Sequence, residues 1–146
     1  DMDPNRIVFS DYADREIYLS RMTLADLFLD TYPYNAHTTC SDSLFVGLPV
    51  LTFSGKSFQS RVAGSILNTL KLNELICYSK EEYINKAISL STSKSHKLKE
   101  YKELLLKKEN FEKLFNGKGY ALKIENIYKK IYHEFLLKNK KFENIE

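Results

Sequence analysis

The feature that most constrains this chain is a change of rhythm near residue 93. Before it, short apolar runs rich in β-branched residues alternate with stretches of helical periodicity. After it, the periodicity is helical only. The strand candidates are Ile7-Val8-Phe9, Leu27-Phe28-Leu29, Val50-Leu51-Thr52-Phe53 and Leu75-Ile76-Cys77. Between them the spacing predicts helices over Arg15–Thr23, Thr38–Val46, Gln59–Leu70 and Lys80–Leu90. Asp14 is placed to cap the first, and Gly47 to end the second. Pro49 opens the third strand, a position where a missing N–H is tolerated. Alternation of this kind implies an α/β fold with a parallel sheet. In such sheets ligands gather at the carboxyl ends of the strands, where the helices begin.

Residues 94–137 read as helices that pack on this first region, and residues 138–146 as a polar tail that frays. Leu98, Tyr101, Leu105 and Leu106 form one apolar stripe; Tyr120, Ile124, Ile127, Ile131 and Phe135 form a longer one. Both are read as packing faces. Charge follows the same division. Residues 1–93 hold 8 Lys+Arg against 11 Asp+Glu, whereas residues 94–146 hold 14 Lys, no Arg and 8 Glu. The lysines are interleaved with glutamates and apolar residues at helical spacing, which is the pattern of solvated helix faces. Without arginine for bidentate contacts, the tail is not read as a nucleic-acid surface.

An apolar share of 43% and a charged share of 28% fit a globular domain. No apolar run approaches the ~20 residues that cross a bilayer, and the first ten residues carry no secretion signal. Cys40 and Cys77, the only cysteines, have no metal-ligand or disulfide spacing and read as buried thiols in a reducing compartment. The expected location is cytoplasmic, with no membrane partner.

Chemistry concentrates in Asp30-Thr-Tyr-Pro-Tyr-Asn-Ala-His-Thr-Thr-Cys-Ser-Asp42, between a strand and the start of a helix. A helix N-terminus presents unpaired N–H groups and partial positive charge, which suits phosphate. His37 can donate to a phosphate oxygen, and Thr38 and Thr39 add hydroxyls and amides. Asp42 lies one turn on, where its carboxylate can accept from ribose hydroxyls. A threonine cap beside an incidental histidine is the plainer reading of the same residues. Gly55-Lys56-Ser57 imitates the end of a P-loop, but Val50 stands where that motif needs its first glycine, so the NTPase reading is excluded.

Arg6-Ile-Val-Phe-Ser10, Leu24-Ala-Asp-Leu-Phe-Leu-Asp-Thr31, Tyr34-Asn-Ala-His-Thr-Thr39, Gly47-Leu-Pro-Val-Leu-Thr52 and Ser60-Arg-Val-Ala-Gly64 follow one another in an order and spacing that resembles the O-linked N-acetylglucosamine transferases, including the SPINDLY type. The resemblance runs from about Arg6 to Phe135. It implies that residues 1–93 are part of a Rossmann-like, nucleotide-sugar-binding domain, the C-terminal half of a GT-B glycosyltransferase, with the helices after it. It implies inverting transfer of a sugar to protein Ser or Thr, with N-acetylglucosamine from UDP-GlcNAc as the expected donor group and fucose from GDP-fucose, as in some SPINDLY-like proteins, as the alternative.

By the same resemblance His37, Thr38 and Thr39 hold the diphosphate and Asp42 the ribose. Ala13 and Arg15 fall in the base-binding loop, and Arg21 on a basic position at the end of the next helix. Tyr18 stands where the family commonly has histidine, and Lys56 where an acidic residue is usual. Preorganised N–H groups, hydroxyls and the helix dipole would stabilise the leaving diphosphate without a metal or other cofactor. No residue reads as the general base, a role left to groups outside this chain. The resemblance further implies an excised or truncated portion of a larger enzyme, without turnover and only marginally stable alone. The alternatives are a nucleotide-binding module without catalysis and a structural fragment that engages a protein partner through its C-terminal helices.

Overall fold

The computed structural model describes residues 3–138. They divide into two compact units, residues 3–114 and 115–138. The first holds a three-stranded parallel sheet in the order β1-β2-β3, formed by Phe28–Leu29, Val50–Phe53 and Ile76–Cys77. β2 is central: Val50 and Leu51 pair with Phe28 and Leu29, and Thr52 and Phe53 pair with Ile76 and Cys77. Helix α1 (Arg15–Met22) precedes β1, α2 (Thr38–Phe45) crosses from β1 to β2, and α3 (Val62–Thr69) crosses from β2 to β3. α4 (Lys80–Ser91), α5 (His96–Leu106) and α6 (Lys108–Phe115) follow. Among the described residues no helix is long and apolar enough to cross a membrane.

Burial explains why β2 reads as a nearly continuous apolar run. Val50, Leu51 and Thr52 are all fully buried, as expected of a parallel strand covered on both faces. Cys40 and Leu44 of α2, Ala63 and Leu67 of α3 and Leu90 of α4 close over it in one cluster. Tyr101 and Leu105 of α5 join the same cluster, so the compact unit continues past the change of rhythm at residue 93. Leu106, the last member of that stripe, is exposed.

The crossovers end with the same backbone device. After α2, Gly47 N–H donates to Leu44 O at 3.2 Å and Leu48 N–H to Ser43 O at 2.8 Å, with Gly47 at φ +81°. After α3, Lys71 N–H donates to Asn68 O and Leu72 N–H to Leu67 O, each at 3.0 Å, with Lys71 at φ 62°. Both are Schellman endings, which need a left-handed residue; glycine fills one and lysine the other. α4 starts on Ser79, whose Oγ accepts from Glu82 N–H at 3.1 Å, while the Glu82 carboxylate accepts from Tyr78 N–H at 2.8 Å.

Two expectations need correction. Ile7-Val8-Phe9 forms no strand: Pro4–Arg6 is a single 3-10 turn, and Val8 and Phe9 are 86% and 92% exposed. A β-branched run becomes a strand only when a neighbour takes its N–H and C=O groups, and β1 pairs with β2 alone among the described strands. The helix expected from Gln59 begins instead at Val62. Ser60 Oγ donates to Ser57 O at 2.9 Å, and this local bond holds Ser57–Ser60 in a turn.

In the second unit α7 runs from Gly117 to Lys138 and carries Tyr120, Ile124, Ile127, Ile131 and Phe135 at helical spacing. Asn116 starts it, accepting from Tyr120 N–H at 3.0 Å through its carbonyl and from Gly119 N–H at 2.8 Å through Oδ1. The polar tail expected over residues 138–146 lies, but for the backbone of Lys138, outside the described residues.

Candidate functional site

The crossover from β1 to α2 is shaped from below by a buried polar knot. Asp30, at the end of β1, is 4% exposed. Its Oδ1 accepts from Ala36 N–H at 2.7 Å, and its Oδ2 accepts from Thr52 Oγ1 at 2.6 Å and Asn35 Nδ2 at 2.9 Å. Asn35 Nδ2 also lies 2.9 Å from Phe53 O and 2.8 Å from Thr52 Oγ1, both on β2. From α4, the Tyr83 hydroxyl donates to Asp30 O at 2.9 Å. Burial, and then the Asp30 charge, push the Tyr83 hydroxyl up to about 12. Asp30 thus ties the loop Thr31–Ala36 to β2 through its carboxylate and to α4 through its backbone carbonyl.

That loop delivers His37 to the N-cap of α2, where its side chain makes no capping bond. The first-turn N–H groups at Thr38 and Thr39 have no acceptor within the helix and are directed out of its N-terminus. Thr38 is exposed and Thr39 half-buried. The His37 ring is half-buried, with Nε2 3.4 Å from Gln59 O. It is not sunk in the apolar core.

α1 brings the second half of the site. Arg15 Nη2 donates to Asp42 Oδ1 at 2.9 Å, bridging α1 and α2. Tyr18, one turn along α1, hydrogen-bonds the Thr39 side chain; burial and then the Asp42 charge raise its hydroxyl, with the Thr39 bond and Arg15 opposing them. Arg21 Nη1 donates to Ser10 Oγ at 2.6 Å and Asp11 O at 2.8 Å, clasping the loop before α1. That loop and α1 enclose an open cleft of about 670 Å³ lined by Ser10, Asp11, Tyr12, Ala13, Arg15, Tyr18, Arg21 and Met22.

The structure therefore gathers the residues singled out from the sequence into two adjoining groups. Ala13, Arg15 and Arg21 share the cleft, and Arg15 is joined to Asp42 on the helix that His37, Thr38 and Thr39 begin. Sequence reasoning missed Asp30, Asn35, Thr52 and Tyr83, the knot beneath the loop. The available signal was two polar side chains bracketing the loop at a strand end and a lone threonine inside an apolar run. It also missed Tyr34 and Phe58, whose rings flank His37. Lys56 lines a different hollow, beside Tyr32, Phe53 and Tyr78. Among the described residues, no three His, Cys, Asp or Glu side chains converge as a metal site.

Comparison with known proteins gives the same frame. The profile of Glycosyl transferase family 41 matches residues 1–124. A UDP-N-acetylglucosamine–peptide N-acetylglucosaminyltransferase of Caenorhabditis elegans is 35% identical over 92% of this chain. A probable enzyme of that description, SPINDLY, from Solanum lycopersicum is 31% identical over 81% of it. The chain spans 12% and 13% of the lengths of those two relatives. A mutant O-GlcNAc transferase of Thermobaculum terrenum superposes with a TM-score of 0.71 at 27% identity, over 84% of this chain and 23% of its own. The α/β fold is thus shared with a transferase of known structure, and the chain belongs to glycosyl transferase family 41.

Proposed function

We propose that this chain is the donor-binding part of a protein O-GlcNAc transferase, with a nucleotide sugar as its ligand and UDP-GlcNAc as the favoured one. The observation that carries the reading is the Arg15–Asp42 bridge, which sets the α1 cleft directly against the N-terminus of α2. In this reading the base lies in the cleft by Ala13 and Arg15, and Asp42 accepts from the ribose. The diphosphate sits on the Thr38 and Thr39 N–H groups and hydroxyls, with His37 donating to it. Arg21 acts by holding the cleft's outer loop through Ser10 and Asp11.

Charge develops on the diphosphate as the sugar departs, and fixed N–H groups and a helix dipole oppose that charge without reorganising. These groups suffice for the anion without a metal. The acceptor Ser or Thr and its general base are assigned to regions other than these residues. The family relationship supports the ligand class, since relatives of this chain are named for transfer from UDP-N-acetylglucosamine.

Titration calorimetry of the purified chain with UDP, UDP-GlcNAc, GDP and GDP-fucose tests the reading. Binding of the uridine ligands, weakened about tenfold or more by His37→Ala or Thr39→Ala, is expected, each lost charge-assisted bond being worth ~1.5–3 kcal/mol. Tighter binding of the guanosine ligands would replace the donor. No binding of any of the four at millimolar concentration would overturn the proposal.

A further inference from the structure

The phosphate-facing histidine is held by a loop that belongs to the other crossover. The Tyr34 ring lies nearly parallel to His37, with centroids 5.5 Å apart and planes at 20°. Phe58 meets it edge-on at 6.0 Å and 87°. Nε2 is 3.4 Å from Gln59 O. Tyr34 comes from the loop that carries His37, whereas Phe58 and Gln59 come from the turn between β2 and α3.

Phe58 is 71% exposed, so no core demands a phenylalanine there. An imidazole turns easily about its second side-chain torsion, which is broad and nearly two-fold. Only its surroundings decide which ring nitrogen faces the protein and which faces a ligand. With Nε2–H turned toward Gln59 O, Nδ1 is the nitrogen left for a phosphate oxygen, and it donates there when the ring carries its second proton, as an imidazolium on the bound anion.

We propose that Phe58 is a positioning residue for His37: its ring, packed against the imidazole together with that of Tyr34, holds Nε2–H toward Gln59 O so that a protonated Nδ1 is presented to the diphosphate. The inference rests on the nucleotide-binding reading above. It makes the β2–α3 turn part of the donor site although that turn contributes no group to the ligand.

The test is a double-mutant cycle on the purified chain, read by UDP affinity and by long-range proton–nitrogen spectra of the His37 ring. Phe58→Ala weakens UDP binding about three- to tenfold, the range of one lost aromatic pair. It also shifts the His37 ring nitrogens toward tautomer averaging. Phe58→Tyr restores both, and Phe58→Ala in a His37→Ala background has no further effect on affinity. A full effect of Phe58→Ala in that background would overturn the proposal, because Phe58 would then act independently of the histidine. Unchanged ring spectra in Phe58→Ala would overturn it as well. If the unmutated chain binds no UDP, the nucleotide reading fails, and the ring spectra still decide whether Phe58 fixes the imidazole.

Discussion

Arg15 and Asp42 meet at 2.9 Å across 27 residues of sequence, and they do so unequally: the arginine side chain is 67% exposed and the aspartate side chain 10%. An ion pair with one end in water adds little to stability, about 0–1 kcal/mol. Its weight is in geometry, since the carboxylate is aimed out of α2 toward α1. Arg15→Ala is therefore expected to leave the thermal midpoint within a few degrees and to weaken UDP binding. Asp42→Ala should weaken it further, because that carboxylate is the one proposed to accept from the ribose. Calorimetry on both variants checks the order, and equal unaltered affinities would remove the pair from the site.

The knot around Asp30 behaves differently because it is buried. Asp30→Ala leaves Ala36 N–H and the Thr52 hydroxyl without their shared acceptor, while Asn35 Nδ2 keeps Phe53 O. Each orphaned group costs about 1–3 kcal/mol, so a loss of about 3 kcal/mol or more is expected in urea denaturation. Tyr83→Phe removes a single bond and should cost about 1 kcal/mol. An Asp30→Ala chain as stable as the parent would mean the knot is ornamental.

The two Schellman endings give opposite expectations. Gly47→Ala puts a Cβ at φ +81° and 2.9 Å from Leu106 Cδ2, so destabilisation of about 1–2 kcal/mol or more is expected. Lys71→Gly relieves a left-handed lysine at φ 62° and should stabilise by up to about 1 kcal/mol. Paired thermal melts of the two variants, moving in opposite directions, are the check.

Burial, and then the Asp30 charge, push the Cys40 thiol from its ordinary 9.0 up to about 12, and Tyr83 rises from 10.0 to about 12. Both groups are neutral when protonated, and the folded chain keeps their protons longer than the unfolded one. Above pH ~9 the unfolded state therefore binds fewer protons, and stability falls as pH rises toward 12, by up to about 1.4 kcal/mol per pH unit per group. Below pH ~9 neither group changes stability. Denaturant midpoints from pH 7 to 11 should show a plateau and then a decline. Cys40 and Cys77, both fully buried, should resist iodoacetamide at pH 8 until the chain is unfolded.

Periodicity and punctuation made most of the sheet legible. Val50–Phe53 is bracketed by Pro49 and Gly55 and is buried on both faces, so its apolar run had one reading. The α2 boundaries followed from the two threonines and Gly47. Ile7-Val8-Phe9 misled because strand propensity measures fit to a paired surface, and no pairing neighbour is described for it. Gln59 misled because Ser57 and Ser60 close a turn on themselves. His37, Thr38, Thr39 and Asp42 could be read as a group because one helix end holds them all. Asp30, Asn35, Thr52 and Tyr83 could not, since their link crosses three elements and leaves no local spacing.

The central place of β2 fixes when the site can exist during synthesis. Phe28 has no partner until Val50 has been made, and the amide of Asn35 reaches across to Phe53 O and Thr52 Oγ1. A nascent chain that has just passed Asp42 already contains every residue assigned to the diphosphate and the ribose, yet has nothing to hold their loop in shape. Ligand capture must then lag translation of the capturing residues by the time needed to complete the next strand. A ribosome stalled between Asp42 and Phe53 would carry the whole recognition motif in an unproductive form.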